Sequence, residues 1–435
     1  MARKMKDSGI EWIGEIPTDF SLYKLKYLLS SPLCYGANES GTLYSDILPR
    51  YIRITDISPN GTLKNSGMLS LDESSAQNYM LHEGDILFAR SGATVGKSFI
   101  YHNYYGRAAY AGYLIKASFN RLVLPEFVYY YTCSSAYEIW KNSIFIQSTI
   151  QNIGADRYSN LPISVPNSID KQLRIVRYLN NFCSKFDAII YNLQTSIEDY
   201  KKLKQAVITQ AVTKGVRGKR EMKDSGVEWI GKIPREFDPV QLKFFCKLIT
   251  DGTHFSPTTV ENGWPYITAG DVHGIGLDYN SAKRISEEDF QLLVAQGCQP
   301  LKGDVLLVKD GATTGRVGFV DSDTPCVILS SVAMLRPADN TDGHYLMYLL
   351  ASDFLQKQIL VSMAGSAMPR TTLTKLTKYI GLFPPLYEQK EISNYLDAKC
   401  AEIDKLIAKK EQLVKELESY KKSLIYEVVT GKREV

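Results

Sequence analysis

The chain has 435 residues, 44% hydrophobic and 23% charged, with a formal net charge of +4. That length accommodates roughly two to four domains with their own cores, and the balance is that of a soluble globular protein, neither disordered nor fibrous. No run of about 18 apolar residues is present to span a bilayer and no basic-plus-apolar leader opens the chain; the seven cysteines are scattered, with no Cys-x-x-Cys pair, which excludes zinc and disulfide frameworks and points to reduced thiols in a cytoplasm.

The first element in chain order is an opening segment, Met5-Lys6-Asp7-Ser8-Gly9-Ile10-Glu11-Trp12-Ile13-Gly14. It reappears half a chain later, so the elements that follow come in two sets. From Phe20 to Pro166 the chain reads as strand-rich, with short apolar or alternating runs at Tyr51–Thr55 and Gly84–Arg90 set between turn residues. Ser91-Gly92-Ala93-Thr94-Val95-Gly96-Lys97-Ser98 resembles a P-loop, but only three residues separate its glycines, and the phosphate cradle needs four. It is read instead as a glycine-bounded turn between two strands, with Arg90 and Lys97 flanking it as phosphate contacts. Among 28 tyrosines, the runs Tyr101-His102-Asn103-Tyr104-Tyr105 and Tyr129-Tyr130-Tyr131 suit a binding surface. The second run falls on a predicted helix, Pro125 to Lys141, where packing is the simpler role for most of its rings.

From Asp170 to Thr213 apolar residues recur at heptad spacing: Leu179, Phe186, Leu193, Tyr200 and Val207, interleaved with Val176, Cys183, Ile190, Ile197 and Ala211. Patterning sustained over about five heptads predicts a coiled-coil helix. Gly218-Lys219-Arg220-Glu221 then leads into the second copy of the opening, Met222-Lys223-Asp224-Ser225-Gly226-Val227-Glu228-Trp229-Ile230-Gly231.

A second strand-rich region runs from Phe237 to Pro384, with strands predicted at Gly303–Lys309 and Val327–Leu329 and a short helix at His344–Leu360. Its hairpin loop, Asp310-Gly311-Ala312-Thr313-Thr314-Gly315-Arg316-Val317, lacks the Lys and Ser of the first. Lys309 and Arg316 flank it. Asp251-Gly252-Thr253-His254 and Met368-Pro369-Arg370-Thr371-Thr372 are polar loop segments, either base-reading or plain solvated turns. Phe383-Pro384-Pro385-Leu386 lacks the Asn or Asp of the adenine-methyltransferase motif it superficially resembles, and reads as the turn into a second long helix. That helix keeps the first one's register with Leu396, Ile403, Leu417 and Leu424 against Cys400, Ile407, Val414 and Val428. Gly431-Lys432-Arg433-Glu434 repeats Gly218–Glu221, as expected of a closed, circular arrangement of two copies.

Two equivalent helices in one chain are expected to pair antiparallel, as a rod of roughly 65 Å at about 1.5 Å per residue. Cys183 and Cys400 occupy the same place on the two seams, as small buried hydrophobes. The expected segments are 1–166, 167–221, 222–384 and 385–435. Asp170 to Glu221 carries about eleven basic against five acidic residues and Leu386 to Val435 about ten of each, so the rest is slightly acidic. A nucleic-acid partner must therefore be held by local basic patches. The five histidines show no metal-ligand spacing, and no Gly-x-Ser-x-Gly elbow or cofactor fingerprint is present. The chain reads as non-catalytic by itself.

In this order, and twice over, the motifs resemble the DNA-specificity subunit of Type I restriction-modification systems. The residues that carry the resemblance are Ser8–Gly14 and Ser225–Gly231, Gly84–Ala93 and Gly303–Ala312, Asp251–His254, Ala364-Gly365-Ser366, and Pro384-Pro385-Leu386-Tyr387-Glu388-Gln389. The first half departs at Asn167-Ser168-Ile169-Asp170-Lys171-Gln172, where Pro-Pro and Glu are absent. The resemblance implies an α+β fold: two strand-rich globular target-recognition domains joined by two long antiparallel coiled-coil helices, pseudo-two-fold and circular in organisation. It implies a bipartite, asymmetric double-stranded DNA target with a fixed gap, read in the major groove. The rod would act as a ruler and, with the repeated ends, as a docking surface for two methylation subunits. S-adenosylmethionine would belong to those subunits, ATP and magnesium to motor-nuclease (restriction) subunits, and no cofactor to this chain. The candidate DNA contacts are Arg53, Arg90, Ser91, Lys97, Arg107, Tyr110, Thr253, His254, Lys309, Arg316, Arg370 and Thr371. The candidate spacer seam is Leu179, Phe186, Ile190, Leu193 and Ile197 against Leu396, Ile403, Ile407, Val414 and Leu417. The bare residue pattern also allows a non-enzymatic scaffold presenting two divergent protein- or carbohydrate-binding modules.

Overall fold

The computed structural model describes residues 3–58, 61–92, 94–146, 152–227, 230–363 and 369–435. Among them no helix is long and apolar enough to cross a membrane. Glu228 and Trp229 of the second opening, Ala93, Ala364–Ser366 and Met368 lie outside the described residues. The chain divides into two compact units, Met1–Leu193 with Gln412–Val435, and Gln194–Glu411. Both divisions fall inside the long helices, Ile169–Lys214 and Leu386–Val429.

In the first unit the opening segment is a hairpin, Met5–Asp7 against Glu15–Pro17. A four-stranded antiparallel sheet follows in the order Cys34–Tyr35, Leu114–Ala117, Ile86–Ala89, Ser98–Ile100. A second sheet runs Ala108–Tyr110, Arg50–Ile52, Leu69–Ser70, Thr42–Leu43, with the first two strands parallel. Phe20–Lys24 pairs with Pro162–Pro166 and closes the domain just before the long helix. The second unit repeats this order: an opening hairpin of Met222–Asp224 and Lys232–Pro234, then Cys246–Asp251, Val332–Pro337, Val305–Val308 and Val317–Phe319. Its second sheet runs Thr259–Val260, Lys283–Ile285, Trp264–Ile267, Val327–Ile328, again with one parallel pair, 264–267 beside 327–328. Asp238–Gln241 and Ile380–Phe383 close it. Only the second unit shows the small hairpin Val272–His273/Gly276–Leu277 among its described residues. Sequences that diverge between the halves thus give one strand order, because short buried apolar runs and turn placement carry the topology while side-chain identity varies.

The two shorter helices differ from expectation. Each is broken in two: Pro125–Thr132 then Ser135–Ile146, and Gly343–Ala351 then Asp353–Met363. A wholly buried serine sits at each break. Ser134 Oγ donates to Tyr131 O and Ser352 Oγ to Leu349 O, both at 2.6 Å, and such local side-chain bonds compete with the helical ladder.

Each unit's core is shared between its globular domain and the ends of both long helices. In the first, Ile175, Val176, Leu179 and Cys183 join Leu424, Ile425, Val428 and Val429 and the opening residues Ile13, Ile16 and Phe20. In the second, Ile208, Ala211 and Val212 join Ile392, Leu396, Cys400 and the second opening's Ile230, Ile233 and Phe237. Full burial of such side chains stabilises each site by about 1.5–3 kcal/mol. The pairing runs antiparallel in both. Phe186 meets the Tyr420 ring at 5.6 Å and Asp187 pairs with Lys421 in the first unit; Lys410 Nζ lies 5.6 Å from the Tyr200 ring and Lys204 Nζ 2.7 Å from Asp404 Oδ2 in the second. Leu179, Ile197, Leu396 and Ile403 are buried, while Phe186, Ile190, Leu193, Ile407, Val414 and Leu417 are half-buried. Both helices end on a glycine at positive φ, Gly215 at 71° and Gly431 at 75°, the left-handed cap that a side chain would strain.

Candidate nucleic-acid interface

Three chain segments converge at the edge of the antiparallel sheet in each unit, and they correspond strand for strand. In the first unit these are Tyr35–Asn38, the hairpin loop after Ala89, and Asn152–Ala155. Ser91 bridges Asn152, Ile153 N–H donates to Arg90 O at 2.8 Å, and Ala155 N–H donates to Tyr35 Oη at 3.0 Å. The Arg90 guanidinium lies 4.9 Å from the centre of the Tyr35 ring, a cation–π contact, and its Nε is buried with no hydrogen-bond partner. Gly36 is required here: a Cβ would come 2.3 Å from Tyr110 O.

In the second unit the same places are held by Asp251–His254, the loop after Val308, and Pro369–Thr371. Asp310 bridges Arg370. Gly311 N–H donates to Pro369 O and Thr371 N–H to Lys309 O, both at 2.9 Å. Where the first unit stacks Arg90 on Tyr35, the second pairs Lys309 Nζ with Asp251 Oδ2 at 3.2 Å and Asp310 Oδ2 at 2.9 Å. Gly252 matches Gly36, since its Cβ would lie 1.9 Å from Ile328 O. Two domains therefore share one loop scaffold and put different chemistry on it: an aromatic–cation pair in one, a charge network in the other.

The structure brings Arg90 and Ser91 together in the first unit, and Lys309, Arg370 and Thr371 in the second. It also shows which candidates are already engaged. Lys309, Thr253 and Thr371 are buried; Thr371 Oγ1 shares a 2.6 Å hydrogen bond with Tyr379 Oη, and Thr253 Oγ1 accepts from Phe255 N–H at 2.9 Å. Tyr110 is wholly buried, and burial pushes its hydroxyl pKa up. Arg53 grips the buried Asp56 through Nη2 at 2.7 Å and Nε at 3.0 Å, which raises its pKa further, and it also donates to Gly67 O at 2.7 Å. Arg107 pairs with Glu73. Lys97, His254, Arg316 and Arg370 are exposed, with Arg316 Nη1 3.5 Å from Val272 O. Beside the second hairpin loop, a cleft of about 630 Å³ is lined by Lys201, Lys204, Arg316, Gln356 and Asp404. Among the described residues no cluster of three or more His, Cys, Asp or Glu is placed to hold a metal ion.

Tyr35, Asn152 and the paired glutamines were not singled out as site residues by sequence. Gln172 Oε1 accepts from Leu124 N–H at 2.8 Å while its Nε2 donates to Leu122 O and Pro166 O, both at 3.0 Å. Gln389 does the same with Asp342 N–H, Asn340 O and Pro384 O. Their signal was present: in the motif Asn167–Gln172 matched with Pro384–Gln389, the glutamine is what the two helix starts keep in common.

The two units share one strand order, and each presents a polar loop edge and shares its core with the ends of both long helices. The family model of the Type I restriction modification DNA specificity domain matches residues 44–199 and 234–416, so the chain belongs to this family and is a specificity subunit of the Type I restriction-modification class. It is similar to the Type I restriction enzyme MjaVIII specificity subunit of Methanocaldococcus jannaschii, 24% identical with 81% of this chain and 80% of that one covered. It is similar also to the putative type I restriction enzyme MjaX specificity subunit of the same organism, 24% identical with 97% and 95% covered. A solved chain from work on complex assembly and conformational transition of the type I R-M system superposes with a TM-score of 0.70 at 16% identity, covering 96% of this chain and 99% of that one. At that identity the likeness establishes the fold. The scaffold alternative draws no support from these matches.

Proposed function

We propose that the chain reads a bipartite, asymmetric DNA sequence with a fixed unspecified gap, each globular domain contacting one half-site in the major groove. The observation that carries this is the repeated loop edge with exchanged chemistry: Tyr35, Arg90, Ser91 and Asn152 in one unit, Asp251, Lys309, Asp310 and Arg370 in the other. One scaffold with two side-chain sets reads two different half-sites, which is what makes the target asymmetric. The functional segments of this reading are 1–166 and 222–384 as target-recognition domains, and 167–221 and 385–435 as spacers.

The long helices set the gap. A helix of 46 residues is about 69 Å long at 1.5 Å per residue, close to two turns of duplex at about 34 Å each. Their outer faces are the docking surface for two methylation subunits, since Ile189, Tyr191, Leu203 and Leu413 stay exposed beyond what helix pairing buries. The partner subunits supply the chemistry: S-adenosylmethionine and adenine flipping in the methylation subunits, ATP and magnesium in motor-nuclease subunits where those join. The chain itself selects the site, in the cytoplasm where that DNA lies. The test is the salt dependence of duplex binding by the chain with its methylation partner. A log–log slope near −0.9 per neutralised phosphate is expected; binding indifferent to salt contradicts the proposal.

A further inference from the structure

We propose that Arg370 reads a guanine in the half-site of the second domain, with Asp310 as the residue that positions its guanidinium. This rests on the DNA-reading function proposed above. Arg370 lies between two backbone hydrogen bonds, Gly311 N–H to Pro369 O and Thr371 N–H to Lys309 O, both at 2.9 Å, so its Cα is clamped to the hairpin loop. Thr314 Oγ1 adds a third tie to Pro369 O at 3.1 Å. The side chain, by contrast, is 59% exposed. Its Nε lies 2.9 Å from Asp310 Oδ1, yet that oxygen is buried and receives no aligned donor. The other carboxylate oxygen, Oδ2, is held by Lys309 Nζ at 2.9 Å, on a lysine side chain only 3% exposed.

Asp310 is thus anchored from behind and keeps one acceptor open toward Arg370. A small rotation that lays the Nε–H on Oδ1 turns the two terminal nitrogens of the fork away from the protein. Two parallel donors presented that way match the O6 and N7 acceptors of guanine, the pairing that distinguishes G·C in the major groove. A phosphate contact needs charge alone and no such buttress. In the first domain the same bridging position is Asn152, opposite Ser91, so the register carries a different donor pattern on each reader.

The test maps adenine methylation in a methylation-free host that expresses the chain with its methylation partner, for wild type, Arg370→Ala, Arg370→Lys and Asp310→Asn. One G·C pair of one half-site should become degenerate in all three variants, with every other position kept. On purified complexes, wild type should prefer the cognate duplex over one with that pair changed to A·T by roughly 10- to 100-fold. Arg370→Lys, which keeps the charge and loses the fork, should bring that ratio close to one. Its retained discrimination at the other half-site shows that the variant is folded. A wild-type motif with no G·C pair in the half read by the second domain, a lysine variant that still discriminates, or an even loss of affinity on every duplex, as for a phosphate contact, would overturn the assignment. A wild-type complex that yields no motif at all would instead remove the DNA-reading premise.

Discussion

At the junction of each opening segment with the long helices sits one charge cluster, whose third member has opposite sign in the two units. In the second unit Glu388, wholly buried, is held by Arg220, whose Nη2 lies 3.0 Å from Glu388 Oε2 and 3.0 Å from Glu236 Oε2, with the guanidinium 5.3 Å from the centre of the Phe237 ring. In the first unit the equivalent of Glu388 is Lys171, while the Arg220–Glu236 pair is kept as Arg3–Asp19 at 3.2 Å, so Asp19 pairs with both Arg3 and Lys171. Both cations lie 5.3 Å from the centre of the Phe20 ring. The missing Glu visible in the sequence at Lys171 is therefore compensated by residues more than a hundred positions away, which sequence spacing alone does not reveal. The two junctions differ in energy. Arg220→Ala leaves a buried carboxylate unpaired and should destabilise the second unit by about 3–5 kcal/mol. Arg3→Ala faces an Asp19 side chain that is 54% exposed and should cost no more than about 1 kcal/mol. Urea unfolding of the two variants measures both, and equal losses would contradict this account of the junctions.

Among the elements, the long helices were the most legible. Heptad spacing placed them, the Pro384-Pro385 start and the C-terminal glycines bounded them, and the cross-helix contacts Phe186–Tyr420 and Lys204–Asp404 follow from the antiparallel register. The central strands Ile86–Ala89 and Val305–Val308 were equally clear, because four consecutive buried apolar residues end on a glycine turn. Less legible were the breaks at Ser134 and Ser352, since a serine inside a helical pattern shows neither glycine nor proline. The edge strands Cys34–Tyr35 and Thr42–Leu43, two residues each, are too short for periodicity to mark. At the site, sequence flagged the basic residues but not the partners that engage them: Asp56 closes back on Arg53 from one turn further along the chain, and Glu73 meets Arg107 from a separate segment. The function assigned to the helices has a direct consequence. Four residues added to one of them, about one turn or 6 Å, should lengthen the recognised gap by roughly two base pairs, read from the methylated motif; an unchanged gap would contradict the ruler.

On the scale of the whole molecule, the chain is one fold used twice, with its strand order kept and the loop edge of its sheet rewritten. What is kept is what burial and geometry demand: Gly36 and Gly252 under a backbone carbonyl, Gln172 and Gln389 tying helix to domain, and Cys183 and Cys400 in the cores. What changes is the polar edge: Tyr35, Arg90, Ser91 and Asn152 in one unit, Asp251, Lys309, Asp310 and Arg370 in the other. Selection by exchangeable edges on a fixed frame is the central claim, and adenine-methylation mapping by single-molecule sequencing tests it most directly, in a methylation-free host that expresses the chain with its neighbouring methyltransferase. The account predicts one split motif, with two unlike halves across a constant gap and one methylated adenine on each strand. A continuous or palindromic motif, or none when the partner is folded and cofactor-bound, would contradict it.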